Sequence, residues 1–171
     1  MRRTARTILC LLLSLMLSGC GKGKDIVVND LNLGELEHEN VNIMGVTYDF
    51  YDNGYAAITA ILHENAQLTE KVTYEKNKYT VAVIGDIKSE ASDAGHRDGV
   101  FGNQYSDIKS PVILELPDTI VYIGSSALEY STAEVIKLPQ KVTRISNRVF
   151  RGCKNIETIE WPAKMEFIGG N

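Results

Sequence analysis

Apolar and polar residues follow two rhythms along this chain, and the rhythm changes near its middle. From residue 111 onward the pattern returns every 22 or 23 positions. Aligned on proline, one copy reads Leu114-Glu115-Leu116-Pro117, then Ile120, Ile123-Gly124 and Ala127-Leu128. The next reads Ile136-Lys137-Leu138-Pro139, then Val142, Ile145-Ser146, Val149-Phe150 and Cys153. A third reads Ile159-Glu160-Trp161-Pro162, then Met165 and Ile168-Gly169. Apolar residues recur three before, three after and six after each proline. Self-similarity at this period predicts a solenoid, each unit burying its apolar face only against its neighbours.

From Val41 to Gly85 the period is two, which predicts strands. Val46-Thr47-Tyr48-Asp49-Phe50-Tyr51 leads into Asp52-Asn53-Gly54, and Tyr55-Ala56-Ala57-Ile58-Thr59 leads out. Asn-Gly between such runs is a hairpin signal, because both central residues of a type I′ turn need positive φ. A second pair is expected at Val72–Glu75 and Tyr79–Gly85, with a turn over Lys76-Asn77-Lys78. The fold class is therefore a β-rich solenoid of short parallel strands preceded by an antiparallel hairpin module, which shields its first edge. Val83-Ile84-Gly85 matches the Ile-Gly place of the later copies, and Val100-Phe101 matches the Val-Phe place of a degenerate first one. The irregular 86–110 segment lies between, and a polar loop containing Asp93, His96, Arg97 and Asp98 reads as solvated or as a partner contact.

The alternation assigns side chains to faces. Leu114 and Leu116, Ile136 and Leu138, and Ile159 and Trp161 should point inward. Outward come the rows Glu115–Lys137–Glu160 and Ile113–Val135–Thr158. Five residues after each proline, Tyr122, Arg144 and Phe167 put an arginine between two aromatics, also outward. These rows are the candidate protein-binding residues: Ile113, Val135, Tyr122, Arg144, Phe167, Glu115, Lys137 and Glu160. The alternative is that they only brace the stack. In the third copy the chain breaks off before the expected Ala-Phe, leaving Trp161, Met165, Phe167 and Ile168 as an open edge.

The N-terminus bears on location. Arg2, Arg3 and Arg6 precede an apolar run from Ile8 to Leu17. That run is shorter than the ~20 residues a membrane-spanning helix needs, and reads as a signal peptide over residues 1–19. Leu17-Ser18-Gly19-Cys20 resembles the bacterial lipobox, in which the cysteine becomes a lipidated first residue. Cys20 is thus the expected anchor, followed by a tether over 20–40, in which Asp25 to Asp30 with Ile26-Val27-Val28 offers a short strand, and the cap over 41–85. Loss of residues 1–19 removes three of the 18 basic residues and none of the 22 acidic ones, leaving a formal net charge of -7. An acidic domain without a basic stripe lacks the footprint of a nucleic-acid binder. Of the three cysteines, only Cys153 stays in the folded part. It occupies an apolar place in the frame, as a small hydrophobe would.

Candidate chemistry is sparse. His96-Arg97-Asp98 imitates a kinase catalytic-loop triplet but has no companion motifs. His38-Glu39 and His63-Glu64 open like zinc-protease helices without a second histidine. Asp49 with Asp52-Asn53-Gly54 has the wrong spacing for a calcium loop. No cofactor, metal or catalytic activity is expected.

The string from Ile136 to Cys153 is similar to the BspA-type leucine-rich repeat of bacterial surface proteins, with Ser146 in place of glycine and Val149 in place of alanine. The resemblance covers 111–171. The strings Gly45-Val46-Thr47-Tyr48 and Tyr79-Thr80-Val81 resemble the module that often precedes such repeats. It implies display at the cell surface and adhesion to host matrix or neighbouring-cell proteins, and brings no catalytic residues. The functional expectation is a membrane-anchored adhesion scaffold. The alternative is an assembly subunit that self-associates through its open C-terminal edge.

Overall fold

The structure is a computed structural model describing residues 26–28, 30–87 and 98–170. The signal segment, Cys20, Asp93, His96 and Arg97 lie outside these residues. The repeats build two parallel sheets. The small one contains β8 (Ile113–Glu115), β10 (Val135–Lys137) and β12 (Thr158–Glu160), in the order β12-β10-β8. Its ladder runs through Leu116 N–H to Lys137 O (3.3 Å) and Leu138 N–H to Glu160 O (3.1 Å). It stops at proline, which has no N–H to donate. Pro117, Pro139 and Pro162 each then open a turn closed by the amide three residues on, Ile120, Val142 and Met165, at 3.0, 3.1 and 3.3 Å. The chain thus swings from the small sheet to the large one.

On that second sheet β9 (Tyr122–Ile123), β11 (Arg144–Ile145) and β13 (Phe167–Ile168) stack in parallel. The row continues into the N-terminal module, because Val83 and Ile84 of β7 (Asn77–Ile84) pair with Tyr122 and Ile123. Beyond β7 come β5 (Tyr55–Ile61), parallel to it, and then β4 (Val46–Tyr51) and β3 (Leu36–Ile43), both antiparallel. β6 (Lys71–Tyr74) pairs with the start of β7. Module and repeats thus share one eight-stranded sheet.

Both turns of the module differ from expectation. At the Asp52-Asn53-Gly54 loop Tyr51 pairs with Tyr55, so three residues connect the strands and Gly54 (φ +77) takes positive φ while Asn53 does not. Asp52 determines this. Its Oδ1 accepts the Glu35 N–H (2.8 Å) and its own N–H donates to Glu35 O (3.0 Å), tying it to the neighbouring segment. The two-residue turn with positive φ at both centres lies instead at Glu75 (φ 47) and Lys76 (φ 71), with Asn77 already in β7.

The segment read as a tether up to residue 40 contains ordered strands. β1 (Ile26–Val28) and β2 (Leu31–Gly34) form a hairpin, and β3 begins at Leu36. Val28 and Leu33 are buried in a second apolar cluster with Tyr51, Ala57, Val83 and Tyr122 on the outer face of the large sheet. With Leu31 and Leu36 packed against the same cluster, these side chains suffice here, because a sheet face receives them.

The main core lies between the sheets. Leu114, Leu116, Ile120, Ile123 and Leu128 stack on Ile136, Leu138, Val142, Ile145 and Val149, and Phe50, Ile58, Val81 and Ile84 close the N-terminal end. Val100 and Phe101 are buried in it, with Val100 N–H bonded to Ala127 O at 2.9 Å. The third turn is different. Ile159 and Met165 are half-buried, and Trp161, expected inward, is 41 % exposed, with the Phe150 ring edge-on to it at 6.0 Å.

Candidate functional site

The outer face of the small sheet is the first candidate surface. Parallel pairing aligns Ile113, Val135 and Thr158 in one row, and Glu115, Lys137 and Glu160 in another. The buried row Leu114, Ile136 and half-buried Ile159 lies between them, facing the core. Ile113 is 54 % exposed and the adjoining Val112 60 %. The β-branched residues thus leave apolar surface open on the outer face of this sheet. Lys137 Nζ stands 3.8 Å from Glu115 Oε2. Both are solvated, so this ion pair contributes little, of order 0–1 kcal/mol.

The second row divides. Arg144 sits over the Phe167 ring, Cζ to centroid 4.9 Å, and both side chains are exposed. Such a contact contributes ~0.5–1 kcal/mol in solvent. Tyr122 was expected beside them as an exposed aromatic, and it is buried, 5 % exposed. Its hydroxyl and that of Ser146 lie 2.8 Å apart. The cause is the N-terminal hairpin: its apolar residues share the cluster of Tyr122, on the same side of the sheet. The face is therefore covered at β9 and open at β11 and β13.

The third turn ends in open apolar surface, with Trp161, Phe167 and Ile168 all 41–53 % exposed. Cys153 donates its thiol to Leu128 O at 3.0 Å, and burial raises its pKa to about 11. It remains a protonated, unreactive thiol at neutral pH.

The catalytic look-alikes have structural places. Asp49 is buried and accepts the Asn40 N–H at 2.8 Å. The His38 ring meets Tyr74 edge-on at 5.0 Å. His63 lies against Gly45, where a Cβ would overlap its ring. Among the described residues no three His, Cys, Asp or Glu side chains gather to hold a metal ion, and no helix is long and apolar enough to cross a membrane.

The repeat geometry agrees with the family model that matches this segment. The family described as "BspA type Leucine rich repeat region (6 copies)" matches residues 102–171. Residues 102–171 are BspA-type leucine-rich repeats. Such leucine-rich repeats are a protein-interaction scaffold and are typically not enzymes. Among solved structures the chain is similar to a leucine-rich repeat protein from Bacteroides capillosus ATCC 29799. The two are 15 % identical over 77 % of this chain and 71 % of that one, with a TM-score of 0.41. A leucine rich cell surface protein from Faecalibacterium prausnitzii A2-165 is 16 % identical over 78 % of this chain and 51 % of that one, also at 0.41. A leucine-rich repeat protein from Bacteroides ovatus ATCC 8483 is 20 % identical over 77 % of this chain and 43 % of that one, at 0.36. No curated protein matches significantly.

Proposed function

We propose that this chain is a lipoprotein of the cell envelope, anchored through Cys20 and exposed outside the cytoplasm, whose leucine-rich repeats bind a protein in adhesion. The observation that carries the reading is the outer face of the small sheet. Val112, Ile113 and Val135 provide an apolar stripe beside the Glu115–Lys137–Glu160 row, so desolvatable area and fixed charge lie side by side. Interfaces combine such a centre with a polar rim. Arg144 and Phe167 extend the candidate surface on the other sheet, where arginine and aromatic residues are frequent binding anchors. Tyr122 drops out of that surface by its burial.

Two experiments test this. Capture of matrix and neighbouring-cell proteins on the anchored domain should be lost in Ile113→Glu and Lys137→Glu variants that keep the parent circular dichroism spectrum. Retention by both would refute the assignment of the face. For the anchor, Cys20→Ala should release the protein from membranes, and a variant still sedimenting with them would overturn it.

A second reading has its own observation. The exposed Trp161, Phe167 and Ile168 favour assembly through the last turn, with another copy covering them. Sedimentation of the soluble domain separates the two, since a monomer at high concentration argues against assembly.

A further inference from the structure

Away from both sheets, on the flank where the turns return, a cavity of about 310 Å³ runs across three successive turns. Its size is at the small end of ligand sites, ~300–1,000 Å³. Asn103 and Asp107 line it from the loop before the first repeat, Tyr130 from the first return, and Lys154 and Asn155 from the second, with Lys109 beside them. The loop is pre-shaped. Asn103 Oδ1 accepts the Tyr105 N–H (3.0 Å), its Nδ2 donates to Asp98 Oδ2 (3.1 Å), and Ser106 Oγ accepts the Ile108 N–H (3.2 Å). Asn155 is held by its Nδ2, which donates to Thr132 O at 3.3 Å.

Tyr130 is the irregular member. It has φ 58, the left-handed region that a bulky side chain rarely adopts. The residue in the same place of the next repeat is Gly152, φ 70, which adopts that conformation without strain. Gly152 in turn leaves room for the tyrosine, since a Cβ there would overlap Cδ1 and Cε1 of the Tyr130 ring. Glycine at 130 would relieve the backbone strain. Strained residues of this sort cluster at binding sites.

We propose that this groove is a binding site for a carboxylate-bearing saccharide, separate from the protein-binding face. A sugar ring has an apolar C–H face for the tyrosine and hydroxyl edges for short, pre-positioned amides. Two lysines against one aspartate give the groove a positive bias in a chain of net charge -4, which suits a uronate carboxylate. A peptide would want an open strand edge or deep apolar pockets, and this groove offers neither.

Saturation-transfer NMR and calorimetry on the full chain test this, with trigalacturonate as the probe, cellotriose as its neutral counterpart and triglutamate as an acidic peptide. Trigalacturonate should bind, with cellotriose about fivefold weaker or worse. Lys109→Ala with Lys154→Ala should bring trigalacturonate down to the neutral level. Tyr130→Gly should weaken it by about tenfold or more without lowering the thermal midpoint. The exposed Lys154→Ala alone keeps the test decisive if the glycine variant loses its fold. No transfer to trigalacturonate, undiminished binding by Tyr130→Gly, cellotriose binding as well as trigalacturonate, or a preference for triglutamate would each overturn the proposal.

Discussion

The bond between Tyr122 and Ser146 offers the sharpest test of how the turns are held together. Its oxygens are 2.8 Å apart, close to the optimum for two hydroxyls, and both residues are under 10 % exposed. Ser146 stands where the other copies have Gly124 and Gly169, so the hydroxyl is an addition to the frame. A buried neutral hydrogen bond contributes about 1 kcal/mol net, and stranding one partner raises the cost toward ~2 kcal/mol. Tyr122→Phe should therefore destabilise by about 1–2 kcal/mol, which for a domain of this size lowers the midpoint by roughly 2–6 °C. Ser146→Ala should cost a similar amount, and the double variant less than the sum, with a coupling of ~0.5–1.5 kcal/mol. Urea unfolding should be followed by circular dichroism for the whole sheet and by fluorescence for the single tryptophan, Trp161, which reports the third turn. If each unit leans only on its neighbours, the loss should appear in both signals, because β9 and β11 carry the third turn. A coupling below ~0.3 kcal/mol, the limit of additivity for independent sites, would refute the view that Tyr122 is a strut.

Three further outcomes follow from the other faces. Lys137→Glu would align three carboxylates on adjacent strands, and should cost about 0.5–1.5 kcal/mol at low salt, recovering as salt screens them; a midpoint indifferent to salt in both proteins would count against the ladder. Cys153 should resist iodoacetamide at pH 8 in the folded protein and react on unfolding. With its pKa raised to about 11 from 9.0, any stability it contributes is constant below pH 9 and lost as pH rises through 11; fast labelling of the native protein at pH 8 would contradict this. Extending the chain by one capping repeat over Trp161, Phe167 and Ile168 should raise the melting temperature by several degrees. No rise, together with a concentration-dependent midpoint, would mean that another copy already covers them.

The repeats were legible because every turn restates the same local instructions. An inward residue three before proline, a proline that ends the ladder and another inward residue six after it needed no long-range information. The positions that carry left-handed backbone were less so: Ser126 and Arg148 share one, and Tyr130 and Gly152 the other, yet only one of the four is glycine. Tyr130 could have been found by aligning it with Gly152, since a bulky residue facing a glycine in the frame marks a departure. In the N-terminal segment only the short strand at Ile26-Val27-Val28 was legible, for a different reason. Residues 26–34 carry five apolar side chains in nine positions, but in strands of three and four residues, too short for periodicity to register. Their order comes from the sheet they cover, and that contact also moved Tyr122 from surface to interior. The turn at Asp52-Asn53-Gly54 was misread because its geometry follows from Glu35, 17 positions away.

This burial pattern gives the molecule a direction. The large sheet is covered on its outer face near the N-terminal module, open from Arg144 onward, and at the third turn exposed on the end as well. Local stability should fall along that direction, since burial falls from the first turn to the third. The small-sheet face draws one strand from each turn, so Thr158 and Glu160 depend on the least buried unit while Ile113 and Glu115 rest on a well-packed one. A partner gripping all three strands would bind the third turn in its ordered state. It would then stabilise that turn selectively, by RT ln(1 + [L]/Kd). The change should show in Trp161 fluorescence before it shows in the sheet as a whole, whereas a ligand in the Tyr130 groove would tie the second return to the loop at 103–109 and leave Trp161 unchanged.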